Sequence, residues 1–205
     1  MVELGFPKAT FAAVAELLQV TEMTVYRHVE NRRGLMAAGL EVAFGEHRWP
    51  EVAGGWRDVL RRYALETWLL WERYPGAAAE VAAGAFPAGF VGVWADAIDQ
   101  LLVAGFGAAE ATVAADLVFD LAATDRRGSD SMAVLTPTDQ DQLMATMQTG
   151  WERTLRQRDP ATRERLLAAR AASDAAFDLT PQEWFLLRLD IVLDGIAVSL
   201  APRED

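Results

Sequence analysis

Apolar side chains recur at three-to-four-residue spacing along almost the whole of this 205-residue chain, and no β-branched alternating run of useful length interrupts them. That period is one face of an α-helix repeated many times, so an all-α fold is expected. The punctuation agrees. Three times in the second half a capping residue stands directly before a proline, in Thr136-Pro137, Asp159-Pro160 and Thr180-Pro181. A side-chain oxygen at the N-cap takes up a free backbone N–H, and proline at the first helical position lacks a donor that would have been orphaned, so each pair predicts a helix start. At the third, Glu183 follows Thr180 by three residues, so hydroxyl and carboxylate can each satisfy the other's backbone donor.

Read in order, Phe11, Val14, Leu17 and Leu18 predict a first helix with Thr10 as its N-cap, and Thr21 opens a second, short one with Met23, Val25 and Tyr26. Asn31 opens a third that runs through Leu35, Met36, Leu40 and Phe44, until Pro50 and the Gly54-Gly55 pair break it. An aromatic-rich helix over 56–74 is stopped by Pro75, and an alanine-rich piece covers 76–86. Further helices are expected from Pro87 to about Ala104 and from Ala108 to about Asp125, with Arg126 to Thr136, rich in Gly, Ser and Asp, as a loop. The three capped starts then predict helices reaching about Arg158, Phe177 and Ala201. No fixed-period repeat is present, which excludes helical solenoids. The break near Pro50 divides the chain into a head of residues 1–48 and a body of residues 56–205.

The formal charge of −11 argues against broad binding to polyanions, because an acidic surface repels phosphate at long range. The charge is unevenly spread. Residues 1–50 hold five basic and six acidic side chains, a net of −1, which leaves −10 for residues 51–205. Both histidines, His28 and His47, also lie in the first part, so groups suited to touching phosphate gather there. Absence of cysteine excludes disulfides, thiolate metal sites and cysteine nucleophiles. With no histidine after His47, the body lacks the imidazoles of a di-iron bundle, a Ser-His-Asp triad or a metal-chelate sensor, and neither enzyme activity, metal nor cofactor is implied. The longest uncharged stretch, Val81 to Ala95, is short and broken by glycines and Pro87, so no membrane partner is expected. MVELGFPK lacks the basic start and long apolar core of a secretory signal, and the expected compartment is the cytoplasm.

Two short helices joined near Gln19-Val20 and followed by a third have the proportions of a helix-turn-helix, whose second helix enters the DNA major groove. The string VTEMTVYRHVENRRGL from Val20 to Leu35, after AAVAELLQ from Ala12, resembles the DNA-binding region of the tetracycline repressor (TetR) family over roughly Leu4 to Phe44. The resemblance implies that Thr10 caps the first motif helix and contacts phosphate, and that Tyr26 and His28 reach the DNA backbone. Arg32 takes the slot usually held by lysine, beside free N–H groups of a helix N-terminus aimed at phosphate. Thr21, Glu22, Met23 and Thr24 occupy the leading edge of the recognition helix, where side chains approach base edges. Tyr26 is also a candidate for packing its ring in the motif core. The chain departs from the family pattern at Gln19, where a glycine is common and a left-handed backbone is favoured, and at Ala12 and Ala13, where many relatives carry basic residues. Only Leu4-Gly5-Phe6 resembles the end of the helix that precedes the motif, so a first helix largely missing from the given sequence is expected.

The same resemblance implies a helical-bundle body that binds a small organic effector and dimerises. EWFLLRLDIVLDGIAVSL, Glu183 to Leu200, is similar to the family's final dimer-forming helix, which points to Leu186, Leu189, Leu193 and Ile196 as interface residues of a homodimer on palindromic operator DNA. Trp68, Trp71, Phe90, Trp94, Phe106 and Phe119 are candidates for an apolar pocket between helices. Asp116 and Asp120, four apart on an otherwise apolar helix, and Asp96 and Asp99 on its expected neighbour, would suit a cationic ligand or simply face water. The expected function is a ligand-responsive repressor. The alternative is a ligand-binding or protein-interaction dimer whose head does not bind DNA.

Overall fold

A computed structural model describes residues 4–51 and 54–202. After a 3₁₀ turn at Phe6–Lys8, the helices are α1 (Phe11–Leu17), α2 (Glu22–Tyr26), α3 (Arg32–Glu46), α4 (Trp56–Arg73), α5 (Ala77–Ala82), α6 (Ala88–Val103), α7 (Ala108–Ala133), α8 (Pro137–Arg156), α9 (Pro160–Ala176) and α10 (Pro181–Ser199). The expected caps form. Thr10, Thr21, Asn31, Thr136 and Asp159 each accept a backbone N–H at their helix starts. At α8, Thr136 and Asp139 form a reciprocal capping box. Thr180 and Glu183 do the same at α10, where the Thr180 N–H and hydroxyl both donate to the carboxylate.

The chain divides into two compact units, one of residues 1–128 with 187–205 and one of residues 129–186. In the first, the core is built from Leu60, Ala64, Trp68 and Trp71 of α4, Ala97 and Leu101 of α6, Val118 and Phe119 of α7, and Leu189, Leu193 and Ile196 of α10, all buried. The alanines at 111, 114, 115 and 122 form a small-residue stripe on α7 that lets neighbours approach closely. The head belongs to this unit because α3 packs on α5 and α6, burying Met36, Leu40 and Phe44. Gly76, at φ 85°, opens α5 beside the 3₁₀ turn: a Cβ there would stand 2.8 Å from Pro7 Cγ, a contact that only glycine permits. In the second unit α8 and α9 pack together, and Arg163 at the start of α9 donates from Nε to the Leu155 carbonyl near the end of α8.

One expected loop is helix. Arg126 to Ala133 continue α7 although they include Gly128 and two serines, because the helix is held at its middle by partners distant in sequence. Asp125 is buried and accepts from Trp68 Nε1 at 3.1 Å and from Arg188 at 2.7 Å. Arg126 lies over the Trp68 ring, 5.1 Å from its centroid, and pairs with Glu72 at 3.2 Å. Contacts of this kind outweigh a cost of roughly 1 kcal/mol for one helical glycine. Among the described residues no helix is long and apolar enough to cross a membrane.

Candidate DNA-facing head and effector cavity

The head is assembled by local chemistry. Thr10 Oγ1 accepts from the Ala13 N–H at 3.1 Å and fixes the start of α1. The chain then reverses through Gln19, whose φ of 55° is the left-handed conformation that a glycine would adopt without strain. The turn is closed by Gln19 N–H to Glu16 O at 3.1 Å and Val20 N–H to Ala15 O at 3.0 Å. Thr21 Oγ1 accepts from the Thr24 N–H at 3.3 Å and lies 3.0 Å from the Thr24 hydroxyl, so the leading edge of α2 is held by its own side chains. Across the two helices the Phe11 and Tyr26 rings stack at 3.9 Å and 6°. Tyr26 therefore packs a ring face on Phe11 and remains 46% exposed. Only Val25 of α2 is buried; Met23 is 65% exposed, and Glu22 and His28 face solvent.

Two polar contacts join α3 to the helices beneath it. Arg32 donates from its two terminal guanidinium nitrogens, Nη1 and Nη2, to Glu80 on α5, at 2.6 and 2.5 Å. That hydrogen-bonded carboxylate raises the Arg32 pKa further above its ordinary value, so the charge is permanent. Glu41 accepts the backbone N–H groups of Ala88 and Gly89, capping α6, whose own N-cap Pro87 offers no side-chain acceptor. Glu41 places negative charge at a helix N-terminus, where the macrodipole favours it. Neither acidic residue stood out in the sequence, because each acts on an element nearly fifty residues away.

Beneath α5 and α6 lies a cavity of about 360 Å³. Of the expected residues it brings together Trp71, Phe90, Trp94, Asp116, Phe119 and Asp120, and adds Thr67, Val81, Phe86, Val91 and Ala123. Helical spacing explains the set. Thr67 and Trp71 are four apart on α4, and Asp116, Phe119, Asp120 and Ala123 follow the i, i+3, i+4, i+7 register on α7, so each group shares one helix face. Edge-to-face contacts shape the wall, with Phe90 against Phe86 at 5.0 Å and against Phe119 at 5.3 Å.

No protein-family model and no curated protein matches the chain. Solved structures do. ActR from Streptomyces coelicolor in complex with actinorhodin superposes with a TM-score of 0.73 at 18% identity, covering 94% of this chain and 87% of that one. SCO7222, a TetR transcriptional regulator from Streptomyces coelicolor, gives 0.67 at 24% identity, covering 95% and 92%. A variant of TetR from Acinetobacter baumannii AYE in complex with minocycline gives 0.58 at 24% identity, covering 72% and 83%. The chain has the TetR-regulator fold.

Within this TetR fold several expected residues stand elsewhere than the sequence suggested. Trp68 does not line the cavity, since its indole is buried with its N–H on Asp125. Phe106 packs on Trp56 at 5.4 Å, and Asp96 and Asp99 lie outside the cavity lining. On α10, Leu189, Leu193 and Ile196 are fully buried in the core of this chain, and Leu186 is half-buried, so those three cannot form the outer face of the helix. The neighbouring polar face is occupied as well, Asp190 pairing with Arg61 and Asp194 with Arg57 of α4. The large apolar residues that α10 leaves uncovered are Trp184, Leu187, Ile191 and Val198, the last two 66% and 87% exposed, with Gly195 between them. Arg32, expected to be free for phosphate, is engaged by Glu80. Among the described residues no cluster of His, Asp and Glu suits a metal ion.

Proposed function

We propose that this chain is a ligand-responsive, DNA-binding transcriptional regulator, a cytoplasmic repressor that binds a pseudo-palindromic operator as a homodimer and releases it when a small organic effector enters the body. The observation that carries the reading is the outward face of α2. A five-residue helix that buries only Val25 and exposes Glu22 and Met23, set after a tight left-handed turn, contributes little to a core and is shaped to enter a groove. In this reading residues 1–48 form the DNA head. Thr10 and His28 touch the backbone together with the Tyr26 hydroxyl, and Thr21, Glu22, Met23 and Thr24 approach base edges. Glu22 would accept from cytosine, and Met23 would touch a thymine methyl.

Residues 56–205 form the sensing and dimerising body. Its dimer face is the apolar strip of Leu187, Ile191 and Val198 on α10, whose inward side is already filled. A two-fold dimer would present its heads to half-sites about 34–36 Å apart, or a multiple of that spacing. The likeness to solved regulators holding minocycline and actinorhodin supports a body that takes up a small molecule. Ligand changes DNA affinity only by favouring one head separation over another. The cavity walls on α5 and α6 reach the head through the Glu80–Arg32 and Glu41–α6 contacts, so a shift of either helix would be felt at α3.

Footprinting on the promoter DNA beside its own gene tests the reading. A protected, two-fold-related pair of half-sites at low salt is expected, and its loss without loss of fold in Met23→Ala or Thr24→Ala variants would assign the base contacts. Absence of any sequence-specific complex at low salt removes the regulator reading.

A further inference from the structure

The cavity carries a chemical pattern of its own. Its deep end is made by α4, where Thr67 and Trp71 are each about 1% exposed, and its shallow end by α7, where Asp116 and Asp120 face solvent. Thr67 Oγ1 and Trp71 Nε1 are buried with no hydrogen-bond partner among the described residues. Buried donors without partners are destabilising, so native proteins leave them where something else supplies the acceptor. Both residues line the cavity. At the other end neither Asp116 nor Asp120 has an ion-pair partner among the described residues, and none of the lining residues is basic. Phe90, Trp94 and Phe119 lie among the residues that line the same space, and aromatic faces favour both flat ring systems and cations.

From this polarity we infer that the effector is a flat aromatic cation: an ammonium group held between the Asp116 and Asp120 carboxylates at the mouth, an aromatic body against Phe90 and Trp94, and a carbonyl-type acceptor taking the Thr67 hydroxyl and the Trp71 N–H at the deep end. The inference rests on the reading of the body as effector-binding. It excludes carboxylate and phosphate effectors, which the paired aspartates would repel. The cavity lies toward the small end of the roughly 300–1,000 Å³ range of ligand pockets, which suits two or three fused rings rather than a larger scaffold.

Calorimetry with three probes on the whole protein tests it: a naphthalimide with a dimethylaminopropyl arm, the same naphthalimide with a carboxypropyl arm, and a naphthalene with the amine arm but no carbonyl. The cationic naphthalimide is expected to bind at least about tenfold more tightly than its anionic counterpart, and Asp116→Asn with Asp120→Asn to abolish that preference. Thr67→Val is expected to weaken the naphthalimide and leave the naphthalene unchanged, while raising the melting temperature, since it removes an unpaired buried hydroxyl. Equal or tighter binding of the anionic probe overturns the inference, as does a preference that survives in the double variant or no binding of the cationic probe at all. The two readings fail separately. A protein that binds its operator but prefers the anion loses only the ligand assignment, whereas one that binds the cation through its aspartates and no DNA loses only the regulator assignment.

Discussion

The Arg32–Glu80 pair turns the DNA reading into a quantity. If Arg32 neutralises a phosphate in the complex, the free protein must first give up a bidentate contact with a carboxylate on α5. Arg32 is 58% exposed at the side chain and Glu80 12%, so solvent screens the pair, and an exposed pair of this kind contributes about 0.2–1 kcal/mol. A dimer breaks two of them, about 0.4–2 kcal/mol in all, so Glu80→Gln should tighten operator binding by about 2- to 30-fold. Arg32→Ala should act oppositely. It removes one phosphate contact per head and lowers the slope of log K against log salt by about 0.9 for each, or about 1.8 for the dimer. Fluorescence anisotropy with a labelled operator duplex, titrated at salt concentrations from roughly 50 to 200 mM, measures both. The decisive comparison is the double variant. Glu80→Gln should have no effect once Arg32 is alanine, because there is no cation left to release. If Glu80→Gln weakens binding, or strengthens it equally in the Arg32→Ala background, Glu80 does not hold Arg32 away from DNA and the argument is wrong.

Three other perturbations follow from the same geometry. Gln19→Gly removes the cost of a side chain at φ 55° and should raise stability by up to about 1 kcal/mol in urea denaturation; a loss would mean that the Gln19 side chain stabilises the turn. On α10, Leu193→Ala should cost about 2–5 kcal/mol by opening a cavity in a fully buried site, whereas Ile191→Asp should leave the protomer folded and shift sedimentation to a monomer. The reverse pattern would restore the inward residues as the interface. Burial pushes His47 below its ordinary pKa despite the Glu66 carboxylate 3.2 Å away. The unfolded chain then binds the proton more readily, so this contribution to stability is present above a pH of about 6.5 and is lost as pH falls below it. His47→Gln should flatten the decline in melting temperature between about pH 7.5 and 5.5; an unchanged slope would assign the decline to other groups.

Much of the candidate site was legible because its logic is local. The head could be read from caps and from the spacing of Val14, Val25 and Leu35, and even the departure at Gln19 marked the one non-glycine left-handed residue among those described. Of the ten residues proposed from the sequence for an effector site, six do meet around one space, and Trp68, Phe106, Asp96 and Asp99 do not. Trp68 was misplaced because an aromatic residue in a helical pattern reads the same whether it faces a cavity or a core. Trp68, three before Trp71, shares its helix face as well as Thr67 does, and only the contact of its N–H with Asp125 turns it from the cavity.

The sequence by itself determined where α1, α2, α3, α8, α9 and α10 begin, since an N-cap oxygen, a proline and a reciprocal carboxylate act within four residues of backbone. Tertiary structure alone decided what lies beyond that range. Arg126 to Ala133 are helical because Asp125 and Arg126 find Trp68, Glu72 and Arg188 more than fifty residues away. The apolar residues of α10 cover more than one side of the helix, and only packing settles that Leu189 and Leu193 fill the core while Ile191 and Val198 are exposed. The charge of Arg32 is written in the sequence; its partner Glu80 is not, because an ion pair depends on where two separate helices bring their side chains.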